Sequence, residues 1–371
     1  MKSADVIIIG GGLQGCSTAL HLVRRGKSVI ILEKETAGRH ASGVNAGGVR
    51  RLNRAIPEIP LSLASLELWY QIESLVNNDC GFRPAGQVRI AETLKDMSNM
   101  EERVGLLKSL GYAHEELIDQ RELRRIVPTV ADHCVGGLFC RQDGAAEPFI
   151  TTRAFYSKAR QLGAEVKEHH PVTAIERTSG MWRVRGNGKN FDAPVLVNCA
   201  GAWGDRIAAM IGDSAPLIPE ALSMMVTARV STFLNPVVGL IGRKLSFKQM
   251  ANGTVVIGGG HISKLNMDTE KTVIDFTQLK ISAQTVKDIF PLMKNVPIVR
   301  CWAGIEGNLP DEIPVIGPGS TAPDAYHAFG FSGHGFQLGP IVGQIMAELI
   351  IDGRSSLPID AFRIERFMEW D

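Results

Sequence analysis

Gly10-Gly11-Gly12-Leu13-Gln14-Gly15, set between the apolar run Val6 to Ile9 and a helical pattern from Gln14 to Arg25, constrains this chain more than any other feature. The spacing is GxGxxG, with Gly10 for a tight turn, Gly12 for backbone approach to a pyrophosphate and Gly15 for close helix–strand packing. The helix start offers unsatisfied N–H groups to an anion. Ser28 to Glu33 reads as a second strand, and Glu33 stands where a carboxylate accepts hydrogen bonds from ribose hydroxyls. A β-α-β unit opening a doubly wound sheet, with a bound dinucleotide, is the expectation. A glycine turn made only for packing is the bland alternative.

The remainder alternates between helical and strand patterns. Helices are expected near Leu61 to Val76, Glu101 to Leu110, Glu122 to Val127, Phe149 to Leu162, Phe276 to Phe290 and Gln337 to Ile351, the last amphipathic. Strands are expected at Gln87 to Ala91, Glu165 to Glu168, Val172 to Arg177, Pro194 to Asn198, and in series from Leu222 to Ile257. From about Pro310 to the last helix the chain reads as glycine-rich turns. At 371 residues it suits two domains. The return of buried-strand patterns makes them interleaved: an α/β Rossmann-like domain from 1–82, 145–214 and 302–371, and an α+β substrate domain with a mixed sheet from 83–144 and 215–301.

Forty Lys and Arg against thirty-nine Asp and Glu leave a net charge of +1, so no global field points to nucleic acid. Six cysteines without a CxxC pair offer neither a zinc nor an iron–sulfur site, and we expect them reduced in a cytoplasmic protein with no resident metal. The first apolar run is interrupted by glycine too soon for a signal peptide, and Ile341 to Ile351 is too short for a transmembrane segment.

Three further segments separate flavin from nicotinamide. His40 to Gly48 is a small-residue loop after the second strand, Asn198 to Trp203 ends a buried strand, and Gly330 to Phe336 leads into the last helix. Free amides at that helix start suit the negative charge that gathers on a flavin's N1–C2=O edge when hydride reaches N5. A nicotinamide needs no such anion site.

With these segments placed, the chain resembles the D-amino-acid-oxidase superfamily of FAD-dependent oxidoreductases. It is most similar to β-type catalytic subunits of heteromeric opine oxidases, sarcosine oxidase and (hydroxy)proline dehydrogenases. The residues that carry this are Ser42 to Arg50, Trp302-Ala303-Gly304, Pro310 to Gly317 and Ser332 to Phe336. The resemblance implies non-covalent FAD held by Gly10, Gly12, Leu13, Gln14, Gly15, Glu33, Lys34, Ser42, Asn45, Ala46 and Gly47. It adds Val172 beside the adenine, then Ala200, Gly201 and Trp203, and Gly333, His334, Gly335, Phe336, Gln337 and Leu338 along the ring. It implies oxidation of a small secondary amine or amino acid by hydride transfer to N5 and imine hydrolysis. It also implies a larger flavoprotein α-type subunit and a small cysteine-rich subunit, with FMN and an iron–sulfur cluster at or in those partners.

Arg50 falls where a cation meets a substrate carboxylate; the alternative places it in a surface cluster with Arg51 and Arg54. Many relatives carry arginine shortly after Trp-Ala-Gly, whereas Glu306 stands here, open to three readings: holding a substrate cation, acting on a proton, or pairing with Arg300. His334 and His261 are the candidate imidazoles, and His169-His170 reads as a solvated turn. Pro148 occupies the place where some relatives carry a flavin-linking histidine, and Cys301 beside Trp302 reads as packing. A nicotinamide-dependent dehydrogenase, and a non-catalytic subunit that only relays electrons through FAD, remain the competing readings.

Overall fold

The computed structural model describes residues 2–322 and 324–368. Val6–Ile9, Val29–Leu32, Val195–Asn198, Glu165–Lys167 and Ala325–Phe329 form a parallel sheet, completed by the antiparallel edge Val315–Pro318. Val6–Ile9 and Val29–Leu32 are buried at every position, because parallel strands covered on both faces must be apolar on both.

Helix Leu13–Arg24 follows the first strand and helix Gly335–Asp352 packs along it. The approach is close. A Cβ on Gly343 would lie 2.4 Å from the backbone carbon of Ser17, and one on Gly339 would lie 2.4 Å from Leu13. Gln14 Nε2 donates to the carbonyl of Gly335 at 2.8 Å, so the two helix starts are tied side by side.

The second layer is a ten-stranded sheet that includes Gln87–Ala91, Gly136–Cys140, Val237–Leu240, Ser246–Gln249, Val255–Gly258 and Ile218–Thr227. Ile298–Asn308 pairs along the whole of Ile218–Thr227 and crosses residue 302 without a break. A cluster of Val88, Ile90, Phe247, Ile257 and Phe290 fills this layer, separate from the cluster around Leu13, Trp69 and Ile345. A smaller sheet contains Val172–Thr178, Met181–Gly186 and Lys189–Ala193.

Three expectations change. Leu61 to Val76 is two helices, Ile59–Tyr70 and Ile72–Val76, joined at Gln71. The segment after Pro310 contains the strands Val315–Pro318 and Ala325–Phe329, hidden in sequence because Gly317 and the turn before Ala325 interrupt any alternation. The last helix is buried around most of its surface, with Gln337, Gly339 and Gly343 inside as well as its aliphatic residues, since it is sandwiched between Leu13–Arg24 and Ile59–Tyr70. Among the described residues, no helix is long and apolar enough to cross a membrane.

Candidate active site

Both helix starts open into one cavity of about 1260 Å³, above the roughly 300–1,000 Å³ of ordinary small-ligand pockets. Neither start has a side-chain cap: Gly12 precedes Leu13–Arg24 and His334 precedes Gly335–Asp352. Apart from the Leu13 amide, which Ser42 Oγ takes, their first amides are therefore left for a ligand. Gly10, at φ +107°, makes the turn that lets this happen; a Cβ there would meet the Cys199 carbonyl oxygen at 2.3 Å. Gly15 does not line the cavity. A Cβ on it would lie 2.0 Å from the Gly10 carbonyl oxygen, so its contribution is packing.

Glu33 ends its strand on the cavity wall, where its carboxylate accepts from the Gly11 amide at 2.7 Å and the Glu35 amide at 2.8 Å. Burial raises its pKa, and those two backbone bonds oppose the shift. Ser42 Oγ accepts from the Leu13 amide at 3.0 Å, and Asn45 Oδ1 accepts from the Gly47 amide at 2.7 Å, which shapes the loop from Ala41 to Gly48. Trp302 Nε1 donates to the Val44 carbonyl at 2.9 Å, and Gly304 leaves room for the Val44 side chain. The Trp-Ala-Gly segment thus seats that loop.

At one end Lys34 Nζ lies 3.2 Å from the Trp203 ring centroid and 2.5 Å from Glu270, and His40 leans on the same indole at 4.7 Å. Val172, Ala200, Gly201 and Ala46 line the wall nearby. His170 belongs to this wall too. Its Nδ1 meets the Glu168 carbonyl at 2.8 Å and its Nε2 is buried, so the solvated-turn reading holds only for exposed His169.

At the other end four arginines, Arg50, Arg54, Arg89 and Arg103, face the cavity. Arg50 donates to the Leu52 carbonyl at 2.6 Å, and Arg89 donates twice to the Leu240 carbonyl. Arg54 is 2% exposed and donates to Gln337 and the His334 carbonyl. Burial and the neighbouring Arg50 pull its pKa down to about 9, against the attraction of Glu58. The surface-cluster alternative fails: Arg51 is also buried, locked on Asp143 at 3.1 Å.

His334 Nδ1 meets the Glu58 carboxylate at 2.9 Å, which fixes the tautomer with hydrogen on Nδ1. Burial, aided by Arg54, holds its pKa down to about 4, so the ring is neutral. Glu306 accepts from the Gly333 amide at 2.7 Å, so it does not pair with Arg300, and Gly333 is not a free donor. The open amides begin at the helix itself.

Phe336 lines the cavity, but Gln337 and Leu338 do not: Gln337 donates to the Ser62 carbonyl and accepts from Arg54, and Leu338 lies in the core. His261 is also displaced from the expected site. It is 4% exposed and absent from the cavity wall, although its neighbours Gly260 and Ile262 reach it; it sits in the bend between strands Val255–Gly258 and Ile262–Asn266, directly after Gly259 and Gly260, both at positive φ. Cys301 likewise stays off the wall, and all six cysteines are free thiols.

Sequence reasoning passed over Arg89 and Glu220, and read Arg54 and His170 as surface residues. Arg54 carried a signal, four residues after Arg50 in one loop; Glu220 carried none, since only strand register places it opposite Glu306.

The fit to a dinucleotide rests on unanswered polar atoms. Gln14 Oε1, His170 Nε2, Trp203 Nε1 and Arg54 Nη1 are buried without a hydrogen-bond partner, and all four residues line this cavity. Buried polar atoms normally find partners, so a polar ligand running the length of the cavity is what they await. The glycine turn, the acid at Glu33 and the second open helix start suit FAD.

Comparison with known proteins agrees. The model of the FAD dependent oxidoreductase (DAO) family matches residues 5–349. An opine oxidase subunit from Rhizobium meliloti is 26% identical over 378 residues, covering 99% of this chain and 98% of that one. Human mitochondrial dimethylglycine dehydrogenase is 26% identical over 395 residues, but this chain spans only 45% of its length. The crystal structure of L-proline dehydrogenase from P. horikoshii superposes with a TM-score of 0.92 at 26% identity, over 100% of this chain and 99% of that one. With a cavity whose lining suits FAD and a family match across nearly its whole length, the chain belongs to the DAO family of FAD-dependent oxidoreductases.

Proposed function

We propose that this chain oxidises a small secondary amine or amino acid of the opine, sarcosine, proline or hydroxyproline class. FAD, when bound, supplies the acceptor for a hydride leaving the carbon attached to nitrogen. The chain's own residues do the rest. Arg50, with Arg54 behind it, receives the substrate carboxylate, because a planar guanidinium pairs bidentately with that group. The uncapped start of Gly335–Asp352 stabilises negative charge on the ring edge, and Lys34, Glu33, Ser42, Asn45 and Trp203 hold the remainder of the cofactor. Holding both reactants in one geometry removes about 7–11 kcal/mol from the barrier in well-oriented systems. Water then hydrolyses the imine.

The observation that carries this reading is the shared wall: arginines and an open helix start line one cavity with the glycine fingerprint. Residues 1–82, 145–214 and 302–371 form the cofactor domain in this proposal, and 83–144 with 215–301 the substrate domain. Likeness to an opine oxidase subunit supports a role as one component of a heteromeric enzyme; a cytoplasmic location, and a larger flavoprotein, FMN and an iron–sulfur subunit as electron acceptors, complete the proposal.

Purified, FAD-loaded chain mixed anaerobically with sarcosine, proline, hydroxyproline and opines tests it. Bleaching of the flavin absorbance by at least one of these is expected, and Arg50→Ala is expected to raise the concentration required while FAD stays bound. Colour that survives the whole panel would refute the activity.

A further inference from the structure

A second charged pole stands in the same cavity. Glu220 on Ile218–Thr227 and Glu306 on Ile298–Asn308 are direct partners in the antiparallel register, and both line the cavity. Cross-strand partners on one face have neighbouring Cβ atoms, and like charges there repel. Among the described residues neither carboxylate has an ion-pair partner. Glu306 accepts one backbone bond, from Gly333, and Glu220 accepts one side-chain bond, from Asn308 Nδ2 at 2.8 Å. Burial raises the pKa of Glu306, and Glu220 adds to the rise, which is the signature of a site short of positive charge.

The location is as informative as the charge. Glu306 is anchored to Gly333 and Arg54 to the carbonyl of His334, so the acidic and basic poles grip successive residues just before the open helix start. A ligand between them is bound as a dipole, anion toward Arg50 and Arg54 and cation toward Glu220 and Glu306.

We infer that Glu220 and Glu306 together form a cation subsite that receives the positively charged nitrogen of a zwitterionic substrate beside the flavin site, a carboxylate of the pair taking its proton before the hydride leaves the neutral amine. This deepens the amine-oxidising reading and rests on it. A carboxylate pair selects for a cationic nitrogen, and an uncharged analogue is discriminated against.

The test uses two inert ligands of one shape, glycine betaine and 3,3-dimethylbutanoate, which share a carboxylate and differ in a cationic nitrogen against a neutral carbon. Their affinities for the FAD-loaded chain are measured by calorimetry. Charge-assisted contacts contribute about 1.5–3 kcal/mol, so betaine is expected to bind at least about tenfold more tightly. Glu306→Gln and Glu220→Gln, each checked for retained flavin absorbance, are expected to bring the ratio close to one. Equal or tighter binding of the neutral ligand to the wild type, binding of neither, or a ratio unchanged in both variants overturns the subsite. The outcomes separate from those of the activity test: charge selectivity without bleaching by any amine would remove the reaction and leave the subsite, and bleaching without selectivity would do the reverse.

Discussion

Among the described residues Lys248 is a buried cation with no ion-pair partner, and replacing it by methionine is expected to stabilise the protein at neutral pH. Its side chain is 5% exposed, and its ammonium donates to the Ala146 carbonyl at 3.2 Å, pressed against Gly47 of the loop that lines the cavity. Burial lowers its pKa to about 8, opposed by the attraction of Glu147 and assisted by Arg83. Relative to the ordinary 10.5, that fall corresponds to about 3 kcal/mol of penalty on the charged form, at about 1.4 kcal/mol per unit. Methionine matches the length, removes the charge and forfeits one hydrogen bond of about 0.5–1.5 kcal/mol, leaving a net gain of about 2 kcal/mol at pH 7. The sign with pH follows from proton counting. Between pH 8 and 10.5 the unfolded chain keeps the lysine proton while the folded chain has lost it, so wild-type stability rises with pH there. The advantage of the variant should accordingly shrink from neutral pH to pH 10. Urea unfolding of the FAD-loaded proteins at both pH values, followed by tryptophan fluorescence, measures it. A variant less stable at pH 7, or a difference independent of pH, would refute the claim that an uncompensated buried charge resides at Lys248.

Two other perturbations follow from the same structure. Gly15→Ala places a methyl group 2.0 Å from the Gly10 carbonyl oxygen, so it must displace the fingerprint turn; loss of FAD absorbance from purified protein is expected, and full retention would contradict the packing argument. His21 and His334 are both held to a pKa of about 4 by burial, below their ordinary 6.5. The unfolded chain therefore binds more protons between pH 6.5 and 4, and stability is lost as pH falls through that window. Unfolding midpoints across pH 7 to 4 for wild type and His21→Gln should show a shallower acid decline in the variant, and identical slopes would count against it.

What could be read from the chain alone was whatever is local. Val6–Ile9, Gln87–Ala91 and most helices were legible because continuous apolar runs and helical spacing report burial directly. Strands Val315–Pro318 and Ala325–Phe329 were not, since turn residues interrupt short strands that owe their existence to the neighbours they pair with. Gly10 and Gly12 of the fingerprint, with Glu33, Ser42 and Asn45, line the cavity and were visible as motif, for a phosphate-binding turn is a property of consecutive residues.

The substrate end is a different matter. His261 was a reasonable candidate by composition, yet the glycine bend before it leaves it off the cavity wall; Arg54, four residues beyond Arg50, comes to face that cavity with a guanidinium nitrogen that has no hydrogen-bond partner. Glu220 and Glu306 are 86 positions apart by their numbers and become partners only through antiparallel register. By itself the sequence determined the nucleotide-binding start, the family and the cofactor, because short-range backbone geometry encodes them. Which charges meet across the cavity was decided by sheet register and helix packing, since a side chain's electrostatic partners depend on distance in space and not on separation along the chain.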